Sequence, residues 1–410
     1  MPLRISGFRK LLYLLLVLLP ASLLPVSTGA GQISESGFGA FEADIEVLDA
    51  NTVAIAWYDT RHPKAEIYLR LVDKQLRPMS AEFRLSANDV DSYEVDIVAL
   101  GENIAATWYE IDSAQNSVIK LGLWDRQGQP LWTRTLTNAS VKARIPVIAA
   151  SNGALFIAWL ETPADDTPLS NTVTIVGLWI DSSGLNRSDF FVIAPASSTT
   201  WNLNIEIARI ESSNRIFLAY DSRHETLANE LYLAQISDGD ISINRLSDDD
   251  GYASKYPDID FRQGKLALTW YDNRFGNNEI YSAVRSVNEL ASPNVLESLE
   301  SSAHRISNSD GDSIGAYLCW NGDSLGLTWS DSGQNQKNKE QHDVYFQHLD
   351  AQGNPKSEIQ QLTQSKADSL IPSIHNFGSG FVLAWNEVTV NAHDAGARQS
   401  RSEIAVTLIK

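Results

Sequence analysis

Seven short segments, VAIAWYD, IAATWYE, LFIAWLE, IFLAYDS, LALTWYD, LGLTWSD and FVLAWNE, recur along the chain and place an aromatic residue at Trp57, Trp108, Trp159, Tyr220, Trp270, Trp329 and Trp385. They follow one another at intervals of 51, 51, 61, 50, 59 and 56 residues. A period of this size means one supersecondary unit that buries its apolar faces against copies of itself. The residue before each aromatic is Ala or Thr: Ala56, Thr107, Ala158, Ala219, Thr269, Thr328 and Ala384. Side chains alternate across a strand, so Leu266, Leu268 and Trp270 share one face while Ala267 and Thr269 share the other. A sheet that is bulky on one face and small on the other stacks on its own copy, which is how propeller blades pack.

The rest of the unit fits four antiparallel strands. An inner strand precedes the Trp strand (YEVDIVAL, RIPVIAA, YPDIDF, LIPSIHNF) and a third follows it (EIYLRLV, ELYLAQI, EIYSAVR, DVYFQHL). The third strand often ends in a turn such as DRQG at 125–128 or DAQG at 350–353. A fourth strand carries Leu85, Leu136, Ile193, Leu246, Ile306 or Leu362, which is six segments for seven Trp strands. The seventh is expected at the other end of the chain, where GQISES offers Ile33, while the C-terminus stops at Lys410 straight after a third strand. The expected fold is therefore all-β: a seven-bladed β-propeller of four-stranded antiparallel blades, closed by the N-terminal strand of the mature chain completing the last blade. Closure removes the exposed edges of an open array. Residues 31–410 form one such domain, expected to act as a monomer.

Residues 1–30 read as a secretory signal peptide. Arg4, Arg9 and Lys10 precede an apolar run from Leu11 to Val26, and Thr28 and Ala30 suit a cleavage site. Pro20 and Pro25 interrupt the run, which is short for a membrane span. The mature protein is thus expected to be exported to the periplasm or the exterior, without membrane insertion. Loss of the leader removes three positive charges and moves the formal charge from −19 to −22. So acidic a surface repels phosphate backbones and argues against nucleic acid as a partner. The one cysteine, Cys319 in AYLCW, reads as a small buried hydrophobe, so a large apolar core must hold the fold without an internal disulfide.

The succession of RLS, a loop, P-x-I, a Trp strand, YDxR and EIY resembles repeats in secreted bacterial proteins of the sialidase-like (BNR-type) propeller superfamily. The resemblance covers essentially the whole mature chain. The Asp-box of that superfamily, S-x-D-x-G-x-x-W, is present only in degraded form as LWDRQGQPLW at 123–132. Arg144, Ile145 and Pro146 match the RIP tripeptide that in sialidases carries the first of three arginines clamping a carboxylate, so the resemblance implies a ligand-binding role for Arg144. The second and third arginines and the Tyr–Glu nucleophile pair are not identifiable in the sequence.

Charged residues recur with the repeat. Asp59, Arg61 and Glu66, then Asp221, Arg223 and Glu230, then Asp272, Arg274 and Glu279 occupy equivalent hairpins. A group needed in every blade is scaffold, so each Arg is expected to bridge its two carboxylates as a structural latch. His62, His224 and Phe275 follow these arginines and are expected to stack on the guanidinium. No HExxH or comparable metal spacing occurs, and no metal site or cofactor is assigned. Two acidic turns, DDDG at 248–251 and SNSDGD at 307–312, resemble Ca²⁺ loops without fitting the full template, and turn chemistry explains them as well.

Function then falls to what breaks the repeat. The loops at 161–172, 330–343 and 386–403 are long and irregular, and the connection PASSTTWN at 195–202 carries Trp201. Loops on a rigid scaffold are where binding residues concentrate. The preferred reading is a non-catalytic exported propeller that binds a protein or a glycan through this loop-rich face, with Trp201, His393, Arg398 and Arg401 as contacts. The alternative is a carbohydrate-active enzyme, either a sialidase-like hydrolase or a propeller lyase, for which Lys255, Tyr256 and His375 could supply a base and a cation. A convergent set of unrepeated acids, bases and arginines at the central channel discriminates the two.

Overall fold

The structure is a computed structural model and describes residues 30–35, 39–138, 140–164, 172–197, 200–210, 213–237, 239–290, 299, 302–333, 341–364, 366–390 and 400–410. The segment 1–30, expected to be a leader, thus lies outside the described residues apart from Ala30. Among the described residues, no helix is long and apolar enough to cross a membrane.

Seven four-stranded antiparallel sheets form the blades. In the first, Ala40–Asp49 is innermost, followed outward by Thr52–Asp59, Glu66–Asp73 and Phe83–Arg84. Five further blades repeat this order, with inner strands Asp91–Leu100, Val141–Ser151, Thr200–Ile210, Ser254–Arg262 and Ser313–Asn321. The last blade contains Asp368–Phe377, Gly380–Val390 and Ser400–Ile409, and its outer strand is Gly31–Gln32 from the other end of the chain. Gly31 pairs with Val406 and Gln32 with Ala405, and the Ile33 N–H donates to the Ile404 carbonyl at 2.8 Å. The ring is closed as the repeat count requires.

Blade packing follows the large-against-small pattern. Trp108 shares an apolar cluster with Ala54 and Ala56 of the preceding blade, Trp159 with Ala105, Trp270 with Ala219, Trp329 with Ala267 and Trp57 with Ala384. Four of the indoles place their N–H on a carboxylate, whereas the buried Trp329 Nε1 has no hydrogen-bond partner among the described residues. Trp57 donates to Asp59 at 3.3 Å, Trp108 to Glu110 at 3.3 Å, Trp159 to Glu161 at 2.8 Å and Trp385 to Glu387 at 2.8 Å. The acid two residues after the Trp is thus a partner for a buried donor. A short helix, Val287–Leu290, inserts after the third strand of the fifth blade and buries Val287 and Leu290, a feature the strand pattern does not reveal.

Every inner strand carries a β-bulge near its start. Register slips by one residue between Phe41 and Asp44, Tyr93 and Asp96, Arg144 and Val147, Trp201 and Asn204, Lys255 and Asp258, Ile314 and Tyr317, and Leu370 and Ser373. The extra residue is left-handed each time: Glu42, Glu94, Ile145, Asn202, Tyr256, Gly315 and Ile371, with φ between 51° and 59°. For a non-glycine residue this conformation costs about 1 kcal/mol, and bulges recur where a side chain is re-aimed. Pro146, Pro257 and Pro372 follow the bulge residue in three blades, where a missing N–H breaks no ladder bond.

Below the bulges, the channel edge of each inner strand has no strand beside it, and carboxylates cover part of this edge. Asp44 accepts the Ile97 N–H of the next blade at 2.8 Å, Asp96 that of Ile148 at 2.8 Å and Asp258 that of Leu318 at 2.7 Å. These acids staple neighbouring blades around the axis.

Candidate functional site at the mouth of the channel

The start of each inner strand runs beside the end of its Trp strand, as Ala40 pairs with Asp59. The bulges, the second-to-third strand loops and the blade-to-blade connections therefore share one face. The bulge residues ring the channel on that face, and the residues before them, Phe41, Tyr93, Arg144, Trp201, Lys255, Ile314 and Leu370, stand opposite Tyr58, Tyr109, Leu160, Asp221, Tyr271, Ser330 and Asn386.

One arc of this mouth is aromatic. Phe41 stacks on Tyr58 at 5.3 Å, Tyr58 meets Tyr93 edge-on at 5.1 Å, Tyr93 lies 5.8 Å from Tyr109, and the Arg144 guanidinium sits 6.0 Å from the Tyr109 ring centre. Across the mouth Tyr256, 45% exposed, stacks on Tyr271 at 5.4 Å. Tyr58, Tyr109 and Tyr271 are held as neutral phenols, chiefly because burial disfavours their ionised forms.

Two carboxyls stand in this arc on adjacent blades. Burial pushes the Glu42 carboxyl up to about 7. Burial raises Glu94 to about 8, the Glu42 charge raising it further and Arg144 acting the other way. Both are half-buried, and the Glu94 Oε2 is sealed from solvent with no hydrogen-bond partner. The Glu42 N–H donates to Asn386 Oδ1 at 2.9 Å, fixing its backbone. On the far side Asp221 accepts from Asn202 at 2.6 Å, Asn229 at 2.8 Å and the Tyr256 N–H at 3.1 Å.

Deeper in the channel the charge is almost all acidic. A cavity of about 260 Å³ is lined by Glu46, Asp96, Asn204, Glu206 and His375, among others. Desolvation raises Asp44, Asp96, Glu206, Asp258 and Asp260 above the ordinary carboxylate range, with mutual repulsion adding for Asp96, Glu206 and Asp258. His375 Nε2 lies 3.6 Å from Glu46 Oε2. Among the described residues no three His, Cys, Asp or Glu side chains are grouped to hold a metal ion.

Of the residues singled out from the sequence, Arg144, Trp201 and Lys255 fall at equivalent positions just before the bulge and Tyr256 at the bulge itself, while His393 and Arg398 lie outside the described residues. Arg401 is exposed and pairs with Thr389 at the base of the last blade's long hairpin. Glu42, Glu94, Tyr58, Tyr93 and Tyr109 were missed. The signal was an alignment of FEADI and YEVDI with KYPDI, which puts both glutamates at the place of Tyr256.

The latch takes a different form from the one expected. Arg61 pairs with Asp59 at 2.7 Å and with Glu82, whereas Glu66 accepts from Arg84 at 2.6 Å and Ser86 at 2.7 Å. Arg274 pairs with Asp272 at 2.9 Å, and Glu279 accepts from Arg305 at 2.8 Å. Two linkages therefore replace one bridge: Asp-x-Arg ties the hairpin, and the Glu ties the third strand to the Arg of the fourth. In the fourth blade Arg223 is exposed and donates to the Thr226 carbonyl at 3.4 Å, Glu230 accepts from Ser247 at 2.5 Å, and Asp221 has turned to the mouth. Stacking also differs: Arg61 lies 4.2 Å over Tyr68, His62 Nε2 is 2.8 Å from the Tyr68 hydroxyl, the His224 carbonyl accepts from Tyr232, and Phe275 lies under Arg305 at 4.4 Å. The acidic turns are used internally, Asp249 accepting the Leu227 N–H and Asp250 that of Tyr252.

No family model matches the chain, and no curated relative does. Solved structures share its fold. An α-L-arabinanase of Penicillium chrysogenum complexed with arabinobiose superposes with a TM-score of 0.53 at 13% identity, over 77% of this chain and 93% of that one. The endosialidase of phage phi92 gives 0.52 at 10% identity, over 93% and 69%. The polysaccharide lyase Uly1 gives 0.51 at 9%, over 92% and 91%. At such identities the likeness is one of fold: the chain has the architecture of sialidase- and arabinanase-like propellers.

Proposed function

We propose that this protein is a carbohydrate-active propeller that cleaves glycosidic bonds at the channel mouth, with Glu94 as general acid and Glu42 as the second carboxylate. The observation that carries the reading is the pair of unrepeated glutamates at equivalent bulges of adjacent blades, beside an aromatic arc. Glycoside hydrolysis needs one carboxyl protonated near neutral pH and one ionised. Burial raises both carboxyls toward neutrality, and Glu94 also feels the Glu42 charge, so Glu94 is the member of the pair that holds its proton to higher pH. Glu94 gives its proton to the leaving oxygen as the C–O bond breaks. Glu42 stabilises the positive charge that develops on the sugar and helps to deliver water, whose proton restores the pair. Phe41, Tyr58, Tyr93 and Tyr109 offer ring faces on which sugars stack. That fold neighbours include an arabinanase and a polysaccharide lyase agrees with the reading without carrying it. Export, expected from the leader, gives such an activity access to polysaccharide.

A second reading keeps the propeller non-catalytic, with a protein or glycan bound through the loops. It draws on the hairpin of Gly380–Val390 and Ser400–Ile409, whose pairing continues to Val390 and Ser400, beyond the end reached by other blades. A panel of polysaccharides incubated with the wild type and with Glu94→Gln separates the two. Cleavage by the wild type that falls at least 100-fold in the variant is expected. Binding without cleavage, equal in both proteins, overturns the catalytic reading in favour of the second.

A further inference from the structure

The hairpins around the mouth differ in height, and the difference gives the proposed cleavage site, on which this step rests, a direction. In the first, fourth, fifth and sixth blades the strand carrying the repeat's aromatic ends two residues past it, at Asp59, Ser222, Asp272 and Asp331. In the third blade it runs on to Pro163, paired with Val141, and in the last to Val390, paired with Ser400. At the rise of a β-strand these two blades stand about 7 and 10 Å taller. Between them in the ring lie the short hairpins of the first and second blades on one side, at 60–65 and 112–116, and those of the fourth and fifth on the other, at 223–229 and 273–278. The sixth blade, next to the last, returns from Asp331 to Asp343 through a longer connection. Among the described residues the mouth is thus a groove, walled at the third and last blades and open toward the two low pairs.

Glu42 and Glu94 lie at one end of this groove, on the first and second blades. The other end is apolar. Among the described residues, the large apolar side chains exposed in the loops and bulges of this face are Leu227, Tyr252, Tyr256 and Phe275, all on the fourth and fifth blades or the connection between them. Two of the rings are backed on one face and bare on the other: Tyr256 rests on Tyr271, and Phe275, 60% exposed, has the Arg305 guanidinium 4.4 Å from its ring centre. A ring held in this way loses little freedom when the C–H face of a sugar settles on it. The acidic turn at 248–251 ties the two low hairpins together. Asp249 accepts the Leu227 N–H at 2.7 Å, Asp250 lies 3.9 Å from Arg274, and the Ala253 N–H donates to Asn273 Oδ1 at 2.8 Å.

We infer that the protein cleaves within chains: a polysaccharide lies along the groove from the first and second blades to the fourth and fifth, and sugars beyond the bond that is cut stack on Tyr256 and then on Phe275. An enzyme that trims a chain end needs neither an open far end nor rings beyond the mouth. The platform is continuous with the mouth through Tyr256, which makes the rest of the glycan, rather than a separate protein, its occupant.

Viscometry with reducing-end counts on linear arabinan, xylan, polygalacturonate and hyaluronate tests it, followed by kinetics on the trimer and hexamer of whichever polymer is cut. Viscosity should collapse while few reducing ends have appeared, and the hexamer should be cut with a kcat/KM about tenfold or more above that of the trimer. Phe275→Ala should raise KM for the hexamer about tenfold with kcat held, and shift KM for the trimer by less than about twofold. Tyr256→Ala, nearer the bond, should raise KM for both. Leu131→Ala, exposed on the opposite face, should change neither, and far-UV circular dichroism checks that all three variants fold. Release of short products from chain ends, with viscosity falling only in step with the reducing ends, overturns the inference and leaves the cleavage reading standing. An unchanged hexamer KM in Phe275→Ala overturns it too, and leaves the outer rings to a protein partner. No cleavage of any polymer by the wild type overturns the functional proposal and the inference with it.

Discussion

Replacing Ile33 by Ala tests whether one residue of the strand Gly31–Gln32 and its extension holds the whole ring shut. Ile33 is 1% exposed and packs with Val382, Ala384, Ile404 and Val406 of the last blade and with Trp57 of the first. Its N–H bonds to Ile404, and its carbonyl accepts from Arg70 at 2.7 Å. The substitution leaves these main-chain bonds in place and removes three buried carbons from the seam between first and last blades. Large-to-small core changes of this kind cost about 3 kcal/mol. With an unfolding entropy near 2 cal/mol/K per residue, a single cooperative domain of roughly 380 residues should lose about 4 °C in melting temperature. Thermal denaturation followed by tryptophan fluorescence reads the shift directly. Leu131→Ala, at a position 51% exposed, is the control and should move the midpoint by less than 1 °C. If Ile33→Ala melts with the wild type, the N-terminal strand is an ornament on a ring that closes without it, and the account of closure fails.

Two further outcomes follow from the buried charges. Glu279, fully buried, accepts from Arg305, Asn277, the Ser307 hydroxyl and the Ser309 N–H, so Glu279→Ala removes the acceptor of four donors and should cost about 3 kcal/mol in denaturant unfolding, whereas Arg274→Ala removes a half-exposed partner and should cost about 1 kcal/mol. Equal costs would restore the single-bridge latch. Glu42 and Glu94 titrate higher in the folded chain than in the unfolded one, so the native state binds the extra protons, and their contribution to stability, complete below about 4.5, is lost as pH rises through about 7 and about 8. The Glu42→Gln, Glu94→Gln double variant should therefore show a shallower fall in melting temperature between pH 5 and 9, and an unchanged slope would mean that these carboxyls are ordinary.

The architecture was legible because it is written seven times. Ala or Thr before each aromatic, the missing fourth strand and the stray Ile33 are local patterns, and packing of identical units leaves few ways to satisfy them. The site was only half legible, for a physical reason. A bulge adds one residue to a strand without changing its composition, so FEADI and YEVDI read as ordinary half-polar strands although Glu42 and Glu94 are turned out of the ladder. Arg144, Lys255 and Tyr256 are legible because a proline follows each of them within two residues and marks the start of the inner strand. The latch was misread because the nearest opposite charge in sequence is not the nearest in space: Glu66 reaches Arg84, 18 residues on.

The ring of bulges also separates two jobs that most protein positions must do at once. A residue within the blade interfaces cannot change without disturbing its neighbour's packing, whereas the bulge residue is whatever the mouth requires, and here the seven positions hold two glutamates, two isoleucines, an asparagine, a tyrosine and a glycine. Gly315 is the unfilled place among them: a Cβ there meets nothing within 4 Å, and its six counterparts bear side chains at nearly the same left-handed φ. A gene that duplicates such a chain carries seven interchangeable sockets on a scaffold that does not register their contents. New specificity in this fold can arise one socket at a time, with the ring itself inherited intact.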